Sequence, residues 1–222
     1  TGGTSGNPLQ FRLDNSVYGR EWAFIMTGWK RVGYSLGDKM VSFRGVEFPR
    51  ADGGVYWQYN PFYNALEMSP FHMNENTLDK YIQKIRDESP KFIHGYPTAI
   101  ATLARYMDNQ KISEFSSVEG VFAASENVYE SQRELIERVI GVRMFSHYGL
   151  SEKAILAAEC EESIKYHIFP QYCVPEIVNS GEESVQDGER GYLVGTSLLN
   201  YSMPFIRYRT GDIGMINSPS CS

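Results

Sequence analysis

Residues 91–149 read KFIHGYPTAIATLARYMDNQKISEFSSVEGVFAASENVYESQRELIERVIGVRMFSHYG, and this stretch decides the fold. Three short apolar runs, Lys91–His94, Ser117–Ala123 and Val142–His147, are bounded by turn residues and read as strands. Between the first two, Ala99, Ile100, Leu103, Ala104 and Met107 recur at helical spacing; between the second two, Leu135, Ile136, Val139 and Ile140 do the same. A βαβαβ order makes neighbouring strands parallel, with right-handed crossovers.

Outward from this stretch the pattern extends in both directions. Leu78, Tyr81, Ile82 and Ile85 fall at i, i+3, i+4 and i+7, with Asn76 or Thr77 placed to cap the helix start. Asn15–Trp29 is a second helical candidate, and an apolar strand precedes Phe43-Arg44-Gly45. From about Tyr166 onward, short β-like runs alternate with turn clusters such as Asn179-Ser180-Gly181 and Asp187-Gly188. The expected architecture is α/β: a parallel sheet with flanking helices over residues 1–165, then an antiparallel, barrel-like β layer over 166–222 of the same domain.

Bulk properties narrow the partners. The chain has 222 residues, a net charge of −6 and no basic run, which argues against nucleic acid. No stretch of about 18 uninterrupted apolar residues exists, and the start lacks the features of a secretory signal. Three cysteines, Cys160, Cys173 and Cys221, suit a reducing compartment, the cytoplasm, with free or metal-bound thiols.

The chemistry concentrates in four short elements. Thr1-Gly2-Gly3-Thr4-Ser5-Gly6 interleaves glycines with hydroxyls, a loop able to wrap an anion with backbone N–H groups. It lacks the lysine of a Walker loop and the spacing of a dinucleotide fingerprint, and a flexible end is its plain alternative. Ala124-Ser125-Glu126-Asn127 and Tyr148-Gly149-Leu150-Ser151-Glu152 both follow strand ends, where open α/β sheets hold ligands. In the second, Tyr148 offers a ring to a base, Ser151 a hydroxyl to a phosphate, and Glu152 a hard carboxylate oxygen to Mg²⁺. In Tyr208-Arg209-Thr210-Gly211-Asp212 an acid after a glycine turn is suited to two ribose hydroxyls, and the same residues make a plausible hairpin turn.

These four elements, in this order, resemble the adenylate-forming superfamily, and within it the phenylacetate–CoA ligase branch. Ser146-His147-Tyr148-Gly149-Leu150-Ser151-Glu152, Ala158-Glu159-Cys160 and Tyr166-His167-Ile168-Phe169-Pro170 are similar to the CapK-type proteins of capsular polysaccharide biosynthesis. The resemblance implies that Thr1, Gly2, Gly3, Thr4, Ser5 and Gly6 hold the ATP phosphates, with Thr4 and Ser5 as catalytic hydroxyl donors. It implies that Ser125 and Glu126 border the adenine and that Tyr148, beside Gly149, stacks on it. Ser151 would touch the α-phosphate, Glu152 would bind Mg²⁺, and Asp212 would take the ribose. Asn7 and Leu9 stand where relatives often carry lysine, and Asn127 where proline is common.

The implied reaction activates a small carboxylic acid with ATP as an acyl-adenylate and passes it to coenzyme A. An amino sugar or polysaccharide acceptor, or a non-catalytic nucleotide-binding role on the same fold, stays open. The resemblance also implies an incomplete large domain, lacking its N-terminal part and a small lysine-bearing C-terminal domain, and hence weak turnover by the piece alone. Some branch members hold structural Zn²⁺ with the equivalents of Cys160, His167 and Cys221 plus a further cysteine; unligated thiols are the alternative, with Cys173 a substitute ligand or a core thiol. His94 reads as a strand-end residue, Arg44 as a surface salt-bridge partner or a carboxylate ligand, and Trp57, Tyr59, Phe62 and Tyr63 as an acyl-pocket lining or a packed loop.

Overall fold

A computed structural model of the chain describes residues 8–45, 48, 53–217 and 221. The first element is α1 (Val17–Arg31), close to the helix expected over Asn15–Trp29. The chain divides into two compact units: residues 29–147 form one, and the described residues on either side of that segment form the other. The division falls within α1 and at Tyr148.

The unit of residues 29–147 is built on β1 (Met40–Phe43), β2 (Trp57–Asn60), β3 (Ala65–Met68), β4 (Phe92–Gly95), β5 (Gly120–Ala124) and β6 (Met144–Gly149). Their order in the sheet is β2-β3-β1-β4-β5-β6. All pairs are parallel except β2 with β3, which form an antiparallel hairpin at the edge. Crossovers run through α2 (Leu78–Glu88), α3 (Pro97–Gln110) and α4 (Glu130–Ile140). β4, β5 and β6 each begin and end within three residues of the three expected runs, because flanking glycine and proline punctuate the apolar segments.

Two layers of packing hold this sheet. On one face Val41, Phe43, Ile93, Val121, Ala123 and Met144 meet Leu78, Tyr81, Ile85, Ile100, Leu103, Met107, Ile136 and Ile140 of the three helices, which explains the helical spacing of those apolar residues. The other face is aromatic: Trp29 stacks on Phe122 at 4.6 Å, Phe122 on Phe92 at 5.0 Å, and Tyr34 meets the edges of Trp29 and Phe92. The close approach of β1 and β4 requires Gly95, since a Cβ there would lie 2.5 Å from the Phe43 carbonyl oxygen. That oxygen is pinned by the Tyr96 N–H at 3.1 Å. Gly95→Ala is therefore expected to destabilise the fold by about 1–3 kcal/mol, read as a lowered midpoint in urea; an unchanged midpoint would show that the two strands can part without cost.

Two local expectations change. Thr77 occupies the start of α2, but its side chain does not cap the helix; its hydroxyl donates to the His72 carbonyl at 2.5 Å and accepts from Asn74 N–H at 3.0 Å, closing the preceding turn instead. Trp57 and Tyr59 lie on the edge strand β2, and exposed Phe62 and Tyr63 sit in the hairpin turn rather than in a packed loop. The alternation of that hairpin is obscured by its short strands and polar edge face.

The other unit contains the described chain from residue 8 into α1, up to Gly28, and the β-rich segment: β7 (Leu156–Ala158) and β8 (His167–Ile168) pair antiparallel, as do β9 (Cys173–Val178), β10 (Arg190–Ser197) and β11 (Tyr208–Met215) in the order β11-β10-β9. The antiparallel pairing in this unit begins with β7 at Leu156. Its core gathers Ala154, Ile155, Leu156, Tyr172, Cys173 and Leu199, with Phe24 and Ile25 from α1 against it. Tyr208–Asp212 is not a hairpin turn but lies inside β11. The register shifts so that Tyr192 pairs with Ile213 while Val194 pairs with Arg209, leaving Thr210, Gly211 and Asp212 opposite Leu193 alone. Gly211 takes φ 89°, the left-handed backbone such a bulge needs.

Candidate functional site

Chemistry-bearing side chains of the β-rich unit converge on the turn after β6. Leu150–Lys153 is closed by the Lys153 N–H donating to the Leu150 carbonyl at 3.0 Å. Lys153 has a positive φ of 60° and is anchored from two sides. Its ammonium meets Glu21 at 2.6 Å with both groups largely buried, and its carbonyl accepts from Ser197 Oγ at 2.8 Å. This anchoring fixes where Glu152 points. Glu152 is 6% exposed, and its Oε1 accepts a hydrogen bond from the Tyr208 hydroxyl at 2.8 Å. Burial first, and the Glu152 carboxylate second, push the Tyr208 phenol up to about 12.

A second tyrosine–carboxylate pair lies alongside. Tyr148 donates its hydroxyl to Asp212 Oδ2 at 2.5 Å, and burial followed by Asp212 raises its phenol well above the ordinary value. The bulge presents Asp212: Thr210 Oγ1 donates to the Leu193 carbonyl at 3.0 Å and accepts from the Asp212 N–H at 3.1 Å. Ser151 and Gly149 are exposed beside this group. Two carboxylates, one buried and one exposed, each held by a phenol, suit a hard cation and a polyhydroxyl ligand.

In the unit of residues 29–147, other expected residues cluster beyond the strand ends. Ser125 is exposed with φ 71° and accepts from Arg44 Nη2 at 3.3 Å. Glu126 Oε2 accepts from both the N–H and the hydroxyl of Thr98, at 3.1 and 2.7 Å. Its carboxylate thus satisfies the first turn of α3, whose own N-cap Tyr96 makes no side-chain cap. Phenol and proline at that helix start leave the role of acceptor to a residue 28 positions from Thr98, a partnership no local signal announces.

His94 and His147 stand at the carboxyl ends of β4 and β6. Burial, then Arg44, pushes His147 down to about 4; burial first, then Arg44 and His147, holds buried His94 well below its usual value. Both folded values lie below the unfolded value of about 6.5, so between roughly pH 6.5 and 4 the unfolded chain binds more protons than the folded one. Stability is accordingly complete above that window and falls as pH drops through it, by up to about 1.4 kcal/mol per pH unit for each imidazole. A denaturation midpoint lower at pH 5 than at pH 7, with the difference reduced in His147→Gln, is the expected result; an undiminished difference in the variant would remove His147 from the account.

Cys160, His167 and Cys221 offer ligand atoms that all lie within 4.8 Å of one another, with the two sulfurs 3.9 Å apart. Among the described residues, the buried His167 Nε2 has no hydrogen-bond partner. The donor set of two thiols and an imidazole has the chemistry of a zinc site. Cys173 does not join it. Its thiol is buried in the core of β9 and raised by burial, which makes it a packing residue.

The expected phosphate loop, Thr1, Gly2, Gly3, Thr4, Ser5 and Gly6, lies outside the described residues. Tyr148, Glu152 and Asp212 come together, as do Cys160, His167 and Cys221; Ser125 and Glu126 sit in the other unit, with Glu126 engaged as a helix cap. Sequence reasoning assigned no role to Tyr208 or to the Lys153–Glu21 pair. The only available signal was that Tyr208 opens the motif ending in Asp212.

No protein-family model matches the chain. Phenylacetate-coenzyme A ligase of Escherichia coli (strain K12) is 31% identical over 224 residues, covering 95% of this chain and 49% of the relative. The chain belongs to the adenylate-forming superfamily, in its phenylacetate–CoA ligase branch. This adenylate-forming chain is also 26% identical to Protein CapK of Staphylococcus aureus over 215 residues, 96% of this chain and 46% of that one. Among solved structures, an open conformation of 2-hydroxyisobutyryl-CoA ligase in complex with 2-HIB-AMP and CoA matches with a TM-score of 0.71 at 20% identity, covering 96% of this chain and 51% of that one. That likeness establishes the adenylate-forming fold. The chain spans about half the length of the curated relatives it matches.

Proposed function

We propose that the protein carrying this chain activates a carboxylic acid with ATP, forming an acyl-adenylate and pyrophosphate, and transfers the acyl group to coenzyme A. The observation that carries this reading is the pair of carboxylates held by phenols, Glu152 by Tyr208 and Asp212 by Tyr148. Asp212 accepts ribose hydroxyls, and the Tyr148 ring offers a face to adenine while its hydroxyl steadies Asp212. Ser151 donates to the α-phosphate. Tyr208 holds Glu152 Oε1, and the buried Glu152 carboxylate would hold Mg²⁺, a hard cation that takes oxygen ligands. When bound, Mg²⁺ neutralises phosphate charge as pyrophosphate departs. The residues otherwise position the acid oxygen in line with the α-phosphorus.

The loop Thr1–Gly6 is assigned the phosphates, with Thr4 and Ser5 as donors, and Ser125 and Glu126 the adenine edge, from their motifs. The two compact units are read as parts of one large AMP-binding domain, in a protein of the cytoplasm. ATP–pyrophosphate exchange by the full-length protein over a broad panel of carboxylic acids tests the activity. Exchange dependent on one acid supports it, and none with any acid overturns it. An amino sugar in place of coenzyme A is the alternative acceptor; product analysis with both acceptors present separates them.

We also infer that Cys160, His167 and Cys221 bind a structural Zn²⁺, supported by their mutual approach and the unpartnered His167 Nε2. Purified protein is expected to contain close to one zinc per chain, lost in Cys160→Ser with a lower melting temperature. Zinc-free protein of unchanged stability would dismiss the site.

A further inference from the structure

The aromatic face of the parallel sheet carries one polar group that its packing does not explain. His94 pairs in register with Ser42 of β1 and Phe122 of β5, and so points to the face that Trp29 and Phe122 fill. It is 4% exposed, its ring makes a T-shaped contact with Trp29 at 4.9 Å, and among the described residues its buried Nε2 has no hydrogen-bond partner. An unpaired buried polar atom costs roughly 1–3 kcal/mol, and native interiors pair nearly all such atoms. A phenylalanine would fill an aromatic layer without that cost. His94 also stands at the end of β4, where open parallel sheets receive their ligands.

The surroundings define what the nitrogen can take. Arg44, just beyond β1, and His147, at the end of β6 and in register with Ala124, act electrostatically on His94, and Arg44 acts on His147. With burial, they keep the imidazole neutral, one nitrogen a donor and the other an acceptor. An ammonium group brought to this place meets the Arg44 guanidinium as a like charge. A second carboxylate would be desolvated against a neutral ring. A hydroxyl carries no charge and both donates and accepts, so it pairs with Nε2 in either tautomer.

We propose that His94 Nε2 binds a hydroxyl group of the substrate acid, so that the substrate class is a hydroxylated carboxylic acid rather than unsubstituted phenylacetate. This rests on the reading of the protein as an acid-activating ligase. It makes His94 a specificity-determining residue, because a site that pairs a substrate hydroxyl penalises the analogue lacking it by leaving its own polar group unpaired.

The test compares phenylacetate with 2-, 3- and 4-hydroxyphenylacetate and mandelate in ATP–pyrophosphate exchange by the full-length protein. At least one hydroxylated acid is expected to exceed phenylacetate by about tenfold or more in kcat/KM. That ratio should collapse toward one in His94→Phe and survive in part in His94→Gln, the variant that keeps a polar group should the first not fold. Phenylacetate equal to or better than every hydroxylated acid, or a ratio surviving His94→Phe, overturns the proposal. A second arm needs no catalysis: the imidazole nitrogen resonances of His94, assigned by their loss in the variants, are followed on adding each acid without ATP. A shift with a hydroxylated acid but not with phenylacetate supports the subsite even where no pyrophosphate exchanges, in which case the ligase reading fails alone. No shift and no exchange overturn both.

Discussion

Glu152→Gln is expected to lower Mg²⁺-dependent adenylation by about a hundredfold, close to 3 kcal/mol of transition-state stabilisation, while leaving the melting temperature nearly unchanged. The substitution keeps an oxygen to accept from the Tyr208 hydroxyl, so the local packing at a residue 6% exposed survives. What it removes is the negative charge that would hold the cation against the phosphates. Tyr208→Phe separates charge from orientation: the carboxylate stays but is no longer directed. A smaller loss, with a raised Mg²⁺ requirement at similar kcat, is expected of it. Pyrophosphate exchange titrated with Mg²⁺ reads both, and a Glu152→Gln protein with unaltered metal dependence would take the cation away from this residue.

Phe122→Ala has the largest expected effect on stability, a loss of about 3–5 kcal/mol. Phe122 is 1% exposed and sits between Trp29, 4.6 Å away with planes 8° apart, and Phe92, 5.0 Å away with planes 17° apart. Tyr34 presents an edge to it at 6.1 Å. Stacked rings on a central strand cannot collapse into the void without moving β5 relative to β4, so the cavity persists and its surface is lost to packing. Since whole domains are stable by roughly 5–15 kcal/mol, most of the protein is expected to be unfolded at modest urea. A shift in the unfolding midpoint worth under about 1 kcal/mol would mean that the rings do not form a single packed layer.

The aromatic layer and the tyrosine–carboxylate pairs also mark how far the sequence reaches. The helical spacing of Ala99, Ile100, Leu103, Ala104 and Met107 and the apolar run at Phe92–His94 are local patterns, and the structure forms α3 and β4 where those patterns fall. Glu126 shows the opposite case. Its motif placed it after a strand end, but its hydrogen bonds to Thr98 make it the cap of α3, because Tyr96 and Pro97 leave that helix start without a side-chain acceptor. Likewise Gly211 signals a turn in any local reading, while β10 extends the backbone on both sides and turns the same glycine into a bulge within β11.

The sequence by itself determined the parallel α/β order, the antiparallel tail and the set of motifs that place the chain among adenylate-forming proteins. These rest on periodicity and on residues adjacent in the chain, which need no knowledge of distant partners. Only the tertiary structure decided that Tyr208 holds Glu152, 56 residues away, that Tyr148 holds Asp212, 64 residues away, and that a buried His94 nitrogen finds no hydrogen-bond partner among the described residues. The reason is physical: a hydrogen bond or an orphaned polar atom belongs to the meeting of separate segments, and no single segment encodes the other's position.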